Sequence, residues 1–195
     1  MRIVEVATEH RLGKISIPPF HVEARGMVVL SVPAISGSAD DVALRKMLSQ
    51  QTQSDGIAVH SSVAVCDLNC LQRYAKRFPG VETLSSIARG LLTADEWMAF
   101  SSVFMELPHR HTQRWHTTGW TEMLGLWMAD ASRTAAAVCV STSGLDPCGI
   151  ACILRWAHDT IAKRVGVLMI FYGEVDSTLE SNAPTANLVL AKADT

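Results

Sequence analysis

Charge is scarce in this chain. Of 195 residues, 17 are Lys or Arg and 19 are Asp or Glu, a formal net charge of −2. Such a balance leaves no electrostatic footprint for nucleic acid or an anionic membrane surface, so neither is expected as a partner. No apolar run approaches the ~20 residues of a membrane-spanning helix. The opening "MRIVEVATEHRLGK" lacks the apolar core of a secretory signal. Cysteine numbers only five, an odd count whose spacings form no disulfide framework. Together these absences point to a reducing, cytoplasmic setting.

What is present is apolar. Hydrophobic residues make up 48% of the chain, enough for one well-buried domain over residues 1–195. With charge this sparse, part of the apolar surface is expected to be covered by another subunit, in a homo-oligomer or a hetero-dimer. Residues 1–65 read as β-rich: "RIVEVAT" alternates, "KISIPPFHVEA" alternates around a Pro pair, and "GMVVLSVPAI" is a continuous β-branched run. "DDVALRKMLSQ" reads as a short amphipathic helix behind a possible Ser38 cap, and "IAVHSSVAVCD" returns to strand.

Residues 66–133 are mainly helical. "LNCLQRYAKRF" stops at Pro79-Gly80, and "TADEWMAFSSVFMEL" opens with a capping box, Thr93 with Glu96 three residues on. "HRHTQRWHTTG" reads as a loop or frayed turn, and "WTEMLGLWMADASR" resumes the helix. Residues 134–195 then run strand, helix, strand, strand: "AAAVCVSTS", "CGIACILRWAHDTIAKR", "GVLMIFYGEV" and "ANLVLAKA". The strands at 137–143 and 167–174 lack the alternation of half-exposed strands. They are therefore expected to be parallel neighbours in a sheet covered on both faces, joined by the helix starting near Cys148.

Three groups of residues could carry chemistry. Cys148 follows Pro147 at the first turn of a helix, where the helix dipole favours a thiolate and backbone N–H groups could hold an oxyanion. Equally, Cys148 and Cys152 stand one turn apart and could be core filling. His109, His111 and His116 cluster in "PHRHTQRWH", a pattern able to ligate zinc or iron, or simply a surface loop. Trp97, in the first turn of the capped helix, could stack on a base or lid the core. Cys66 and Cys70, four apart, read as packing. "STSG" after a strand could cradle a phosphate, but the Gly-rich fingerprint, the P-loop lysine and the Gly-x-Ser-x-Gly elbow are all missing.

The segments "LTADEWMAF", "RHTQRWHTTGWTEMLGLWMADA", "AAAVCVSTS", "CGIACILRWAHDTIAKRVGVLMIFYGEVDST" and "PTANLVLAKA", in that order, resemble the N-terminal half of β-ketoacyl-ACP synthase III enzymes of the thiolase superfamily. The resemblance covers about residues 90–195. It implies a layered thiolase-like α/β fold: a sheet with a βαβ crossover and covering helices, beside the N-terminal β-rich segment. It further implies acyl transfer in fatty-acid or polyketide metabolism. Cys148 would be the thioester nucleophile, after a one-residue shift from Pro147. Trp97 would stack on the adenine of coenzyme A, and an acyl-CoA or acyl-carrier protein would be the partner. That family's catalytic His and Asn come from its second half, so His111 or His116 would have to act as the base.

Two other readings stay open on the residues alone. One is a non-enzymatic, oligomeric binding or assembly module of the same fold, as against an acyl-transfer protein that is incomplete or non-catalytic without a partner; the other is a metal-dependent enzyme built on His109, His111 and His116.

Overall fold

A computed structural model describes residues 1–12, 15–33, 43, 45–46, 56–66, 68–106, 108–172, 181–183 and 186–193, the side chains of Leu68, Pro108, His109 and Ala193 excepted. Most of the expected helix in "DDVALRKMLSQ" lies outside these residues. The strands are β1 (Arg2–Val6), β2 (His10–Leu12), β3 (Ile15–Ile17), β4 (Phe20–Glu23), β5 (Met27–Val32), β6 (Ile57–Val59), β7 (Val63–Val65), β8 (Ala137–Ser141), β9 (Gly166–Tyr172), β10 (Asn187–Leu190) and β11 (Lys192–Ala193). The helices are α1 (Leu68–Ala75), α2 (Leu84–Leu91), α3 (Ala94–Phe104), α4 (Trp120–Ala131) and α5 (Pro147–Trp156).

A five-stranded parallel sheet, ordered β10-β5-β9-β8-β7, forms the centre. The expected neighbours β8 and β9 are parallel, with Ala137 opposite Gly166 and Ser141 opposite Ile170, and α5 lies between them in sequence. The chain is thus an α/β protein with a parallel sheet. Its two faces are covered by different material. Val29, Val138, Val140, Val167 and Met169 face a helical layer that holds Phe100, Leu126 and Trp156. Their neighbours along each strand, including Val28, Leu30, Cys139, Leu168 and Ile170, face Ile3, Val4, Ile15, Ile17 and Val22. Those residues belong to two small antiparallel sheets, β4-β1-β6 and β11-β3-β2. The period-two geometry of a strand sends alternate residues to opposite faces, so β5, β8 and β9 carry apolar residues toward both layers.

The β-rich start supplies both the antiparallel layer and a member of the central sheet, since β5 is hydrogen-bonded between β10 and β9. Pro18 and Pro19 separate β3 from β4, which join different antiparallel sheets. Proline cannot donate to a ladder, so the pair is a natural break.

One helical detail differs from the sequence reading. The long helix after Pro147 is α-helical only to Trp156; residues Ala157–Ile161 form a π-turn, closed by the Ala162 N–H on the Ala157 carbonyl at 2.8 Å. The stretch expected as a loop or frayed turn forms two 3-10 turns, Pro108–Thr112 and Trp115–Thr117. Trp115 anchors it: buried among Tyr74 and Phe78, its indole N–H donates to the Ala75 carbonyl at 2.6 Å.

Candidate functional site

The loop after β8 turns at Gly144, whose φ of +83° is the left-handed region that glycine adopts without a Cβ clash. The chain then enters α5 through Asp146, which accepts a 2.6 Å hydrogen bond from the Gly149 N–H, with Pro147 at the first helical position. A few ångströms away α4 starts at Trp120, after Gly119. Close approach here needs glycine: a Cβ on Gly149 would fall 2.6 Å from Thr121 Oγ1. The starts of α4 and α5 and the end of α3 therefore converge on one groove of about 380 Å³.

Glu106, Arg110, Trp120, Glu122, Asp146 and Cys148 supply the groove's functional groups. Glu122, in the first turn of α4, is buried and ion-paired with Arg110. Both helix starts are thus already met by the chain's own carboxylates, Glu122 and Asp146, and Glu106 adds a third. Arg110 is the basic residue lining the groove, and Glu122 neutralises it. An anion would meet more negative than positive charge here. Trp120 is 45% exposed.

Cys148 sits in this groove and is exposed, not turned into the core. Cys152, half-buried one turn on, donates to the Val103 carbonyl at 3.5 Å. Burial first, then the neighbouring Cys148, Glu106 and Asp146, push the Cys152 thiol up to about 11. Neither His111 nor His116 lines the groove with Cys148. The exposed His111 ring meets the Trp97 ring edge-on at 6.3 Å, and His116 Nδ1 lies 2.6 Å from the Gly80 carbonyl. The side chain of His109 lies outside the described residues. Among the described residues no group of three or more His, Cys, Asp or Glu could hold a metal. Trp97 is half-buried, with the Arg89 guanidinium 4.9 Å from its ring centre. Sequence reasoning missed the groove, although two helix starts, "TTGW" and "GLDP", mark its walls.

A second polar cluster is structural. The expected capping box is present: Thr93 Oγ1 accepts from the Glu96 N–H, and Glu96 accepts from the Thr93 N–H at 2.7 Å. Buried Glu96 also pairs with Arg133, at 2.9 Å, and with Arg164. Burial alone would raise the Glu96 carboxyl, but the Thr93 N–H, Arg164 and Arg133 outweigh it and hold it below the usual range.

No family model and no curated protein matches the chain. Solved structures do. An ABC transporter ATP-binding protein from Pyrococcus furiosus superposes with a TM-score of 0.58 at 9% identity, covering 97% of this chain and 98% of that one. CbiO1 from Clostridium perfringens, part of the ABC transporter complex cbiONQ, gives 0.54 at 10% identity, covering 99% and 88%. The ADP conformation of an ATP-binding cassette, MJ1267, gives 0.52 at 11% identity, covering 97% and 89%. At these identities the likeness establishes the fold: this chain has the architecture of an ATP-binding cassette.

The resemblance to β-ketoacyl-ACP synthase III is thereby overturned. Segment order along 90–195 reflected a generic strand–helix–strand unit, and the sheet has helices on one face and antiparallel strands on the other. The acyl-transfer reading, as enzyme or as assembly module of the thiolase fold, falls with it. So do acyl-CoA and acyl-carrier protein as partners. The expectation of no membrane partner also loses its basis, because these neighbours are described as parts of ABC transporters. Among the described residues, no helix is long and apolar enough to cross a membrane.

Proposed function

We propose that this chain is the cassette-type subunit of a membrane-transport assembly, and that it does not itself hydrolyse ATP. On this reading it is cytoplasmic and is held at the membrane by a partner, which supplies the phosphate chemistry. The observation that carries the proposal is the cassette architecture in a sequence without the chemistry of a P-loop. P-loop hydrolysis relies on a Gly-x-x-x-x-Gly-Lys-Ser/Thr turn between strand and helix, and on a strand-borne Asp that helps hold Mg²⁺. The only Gly-Lys pair in the sequence is Gly13-Lys14, followed by Ile15. "PAISGSADD", after β5, has Gly37 and Ser38 where a lysine would be needed. β8 reads Ala-Val-Cys-Val-Ser, with no carboxylate.

The test is Mg-ATP turnover by the purified chain, with fluorescent-nucleotide binding measured in parallel. The expected result is no phosphate release above the protein-free rate. Steady hydrolysis that scales with protein concentration and co-elutes with the chain would overturn the proposal.

A further inference from the structure

Cys148 and Cys152 are four residues apart on α5, and both line the groove between α3, α4 and α5. Residues at this spacing lie on one helix face, one above the other. The two thiols therefore share the face of α5 that borders the groove. Cys148 is exposed, so the pair can be reached from solvent, while Cys152 is half-buried and held by its bond to the Val103 carbonyl at 3.5 Å.

We propose that Cys148 and Cys152 form a two-coordinate site for a soft metal cation of the Cu(I) type, entered through the groove. Soft thiolates select Cu(I), and also zinc when four ligands surround it. No third His, Cys, Asp or Glu among the described residues stands close enough to complete a larger set. That shortage selects against tetrahedral zinc and favours a cation satisfied by two sulfurs. The groove's acidic lining, with Arg110 neutralised by Glu122, draws in a cation. Binding replaces two S–H bonds by two Cu–S bonds and releases two protons, with no change of oxidation state. The site is independent of whether the chain handles nucleotide.

The probe is Cu(I) itself, titrated anaerobically into the reduced protein against a chromogenic Cu(I) chelator, with Zn(II) as a parallel arm. One Cu(I) per chain is expected to be retained. Losing even an outer-shell partner of a metal site costs about 10–100-fold in affinity, so Cys148→Ser and Cys152→Ser should each weaken binding at least about a hundredfold. Cys148 is exposed, so Cys148→Ser is expected to keep the wild-type circular dichroism spectrum. Cys70→Ser should leave binding unchanged. The proposal is overturned if no Cu(I) is retained against the chelator, if Cys148→Ser binds like wild type, or if Zn(II) binds as tightly as Cu(I).

Discussion

The Trp156 indole N–H donates to the Gly125 carbonyl at 3.0 Å, joining α5 to the middle of α4. Both residues are buried, and Trp156 also packs edge-on against Phe100 and Phe104. Gly125 also leaves room for the Phe104 ring, since a Cβ there would fall 2.8 Å from it. Trp156→Phe keeps an aromatic ring but removes this second hydrogen bond to a carbonyl that retains its helical donor, a net loss of about 0.5–1.5 kcal/mol. Gly125→Ala overpacks the same point, by about 1–3 kcal/mol. Urea unfolding should show both as lower midpoints with unchanged slopes.

Glu96 makes stability depend on pH. Its carboxyl is held below its ordinary value in the folded chain, so the folded state binds the proton less readily than the unfolded one. The stabilisation is therefore complete above the unfolded carboxyl's pKa of about 4.3 and is lost as pH falls through the lower folded value. Glu96→Gln should cost about 1.5–3 kcal/mol at neutral pH, the worth of hydrogen bonds to a charged group. The gap between wild type and variant should stay constant down to about pH 4.3, then close on further acidification. Urea midpoints measured from pH 7 to pH 3 would check both the size and the sign.

The capping box around Glu96 was legible because it is local: a Thr, a Glu and their spacing specify it. The parallel pairing of β8 and β9 was legible for a similar reason, since two apolar strands flanking one helix have few other solutions. The cassette architecture was not. It depends on β5 lying between β9 and β10, pairings of residues more than a hundred positions apart that no periodicity reports. The P-loop that would have flagged it is missing from the sequence. The core-filling reading of Cys148 missed for another reason. A helical stripe gives the face a residue shares with its neighbours, but not whether a groove opens beside that face.

That groove orders the cysteines by reactivity. Cys148 is exposed, while Cys66 and Cys139 are buried. Cys152 is half-buried, and with its thiol near 11 only roughly one part in a thousand is thiolate at pH 8. Iodoacetamide at that pH should therefore alkylate Cys148 before Cys66, Cys139 or Cys152. Peptide mass mapping at successive times would read the order directly. Early labelling of Cys139 would instead mean that the central sheet opens.

Arg110 and Glu122 form the groove's own ion pair, and its worth can be separated from its cost. Glu122 is 5% exposed and stands in the first turn of α4, where the helix dipole favours a negative charge. Arg110 comes from the 3-10 turn before it and is about one-third exposed. Removing Arg110 alone strands a buried carboxylate, which for buried pairs costs about 3–5 kcal/mol. The helix start and the open groove should soften that, so Arg110→Met is expected at the lower end. Glu122→Met leaves only a partly solvated guanidinium and should cost less. Replacing both residues removes the desolvation along with the attraction, so Arg110→Met/Glu122→Met should be more stable than Arg110→Met alone. A double-mutant cycle by urea unfolding measures the coupling. If the two single losses simply add, the pair does not act as a unit. If the double variant recovers stability, Arg110 is there chiefly to neutralise Glu122.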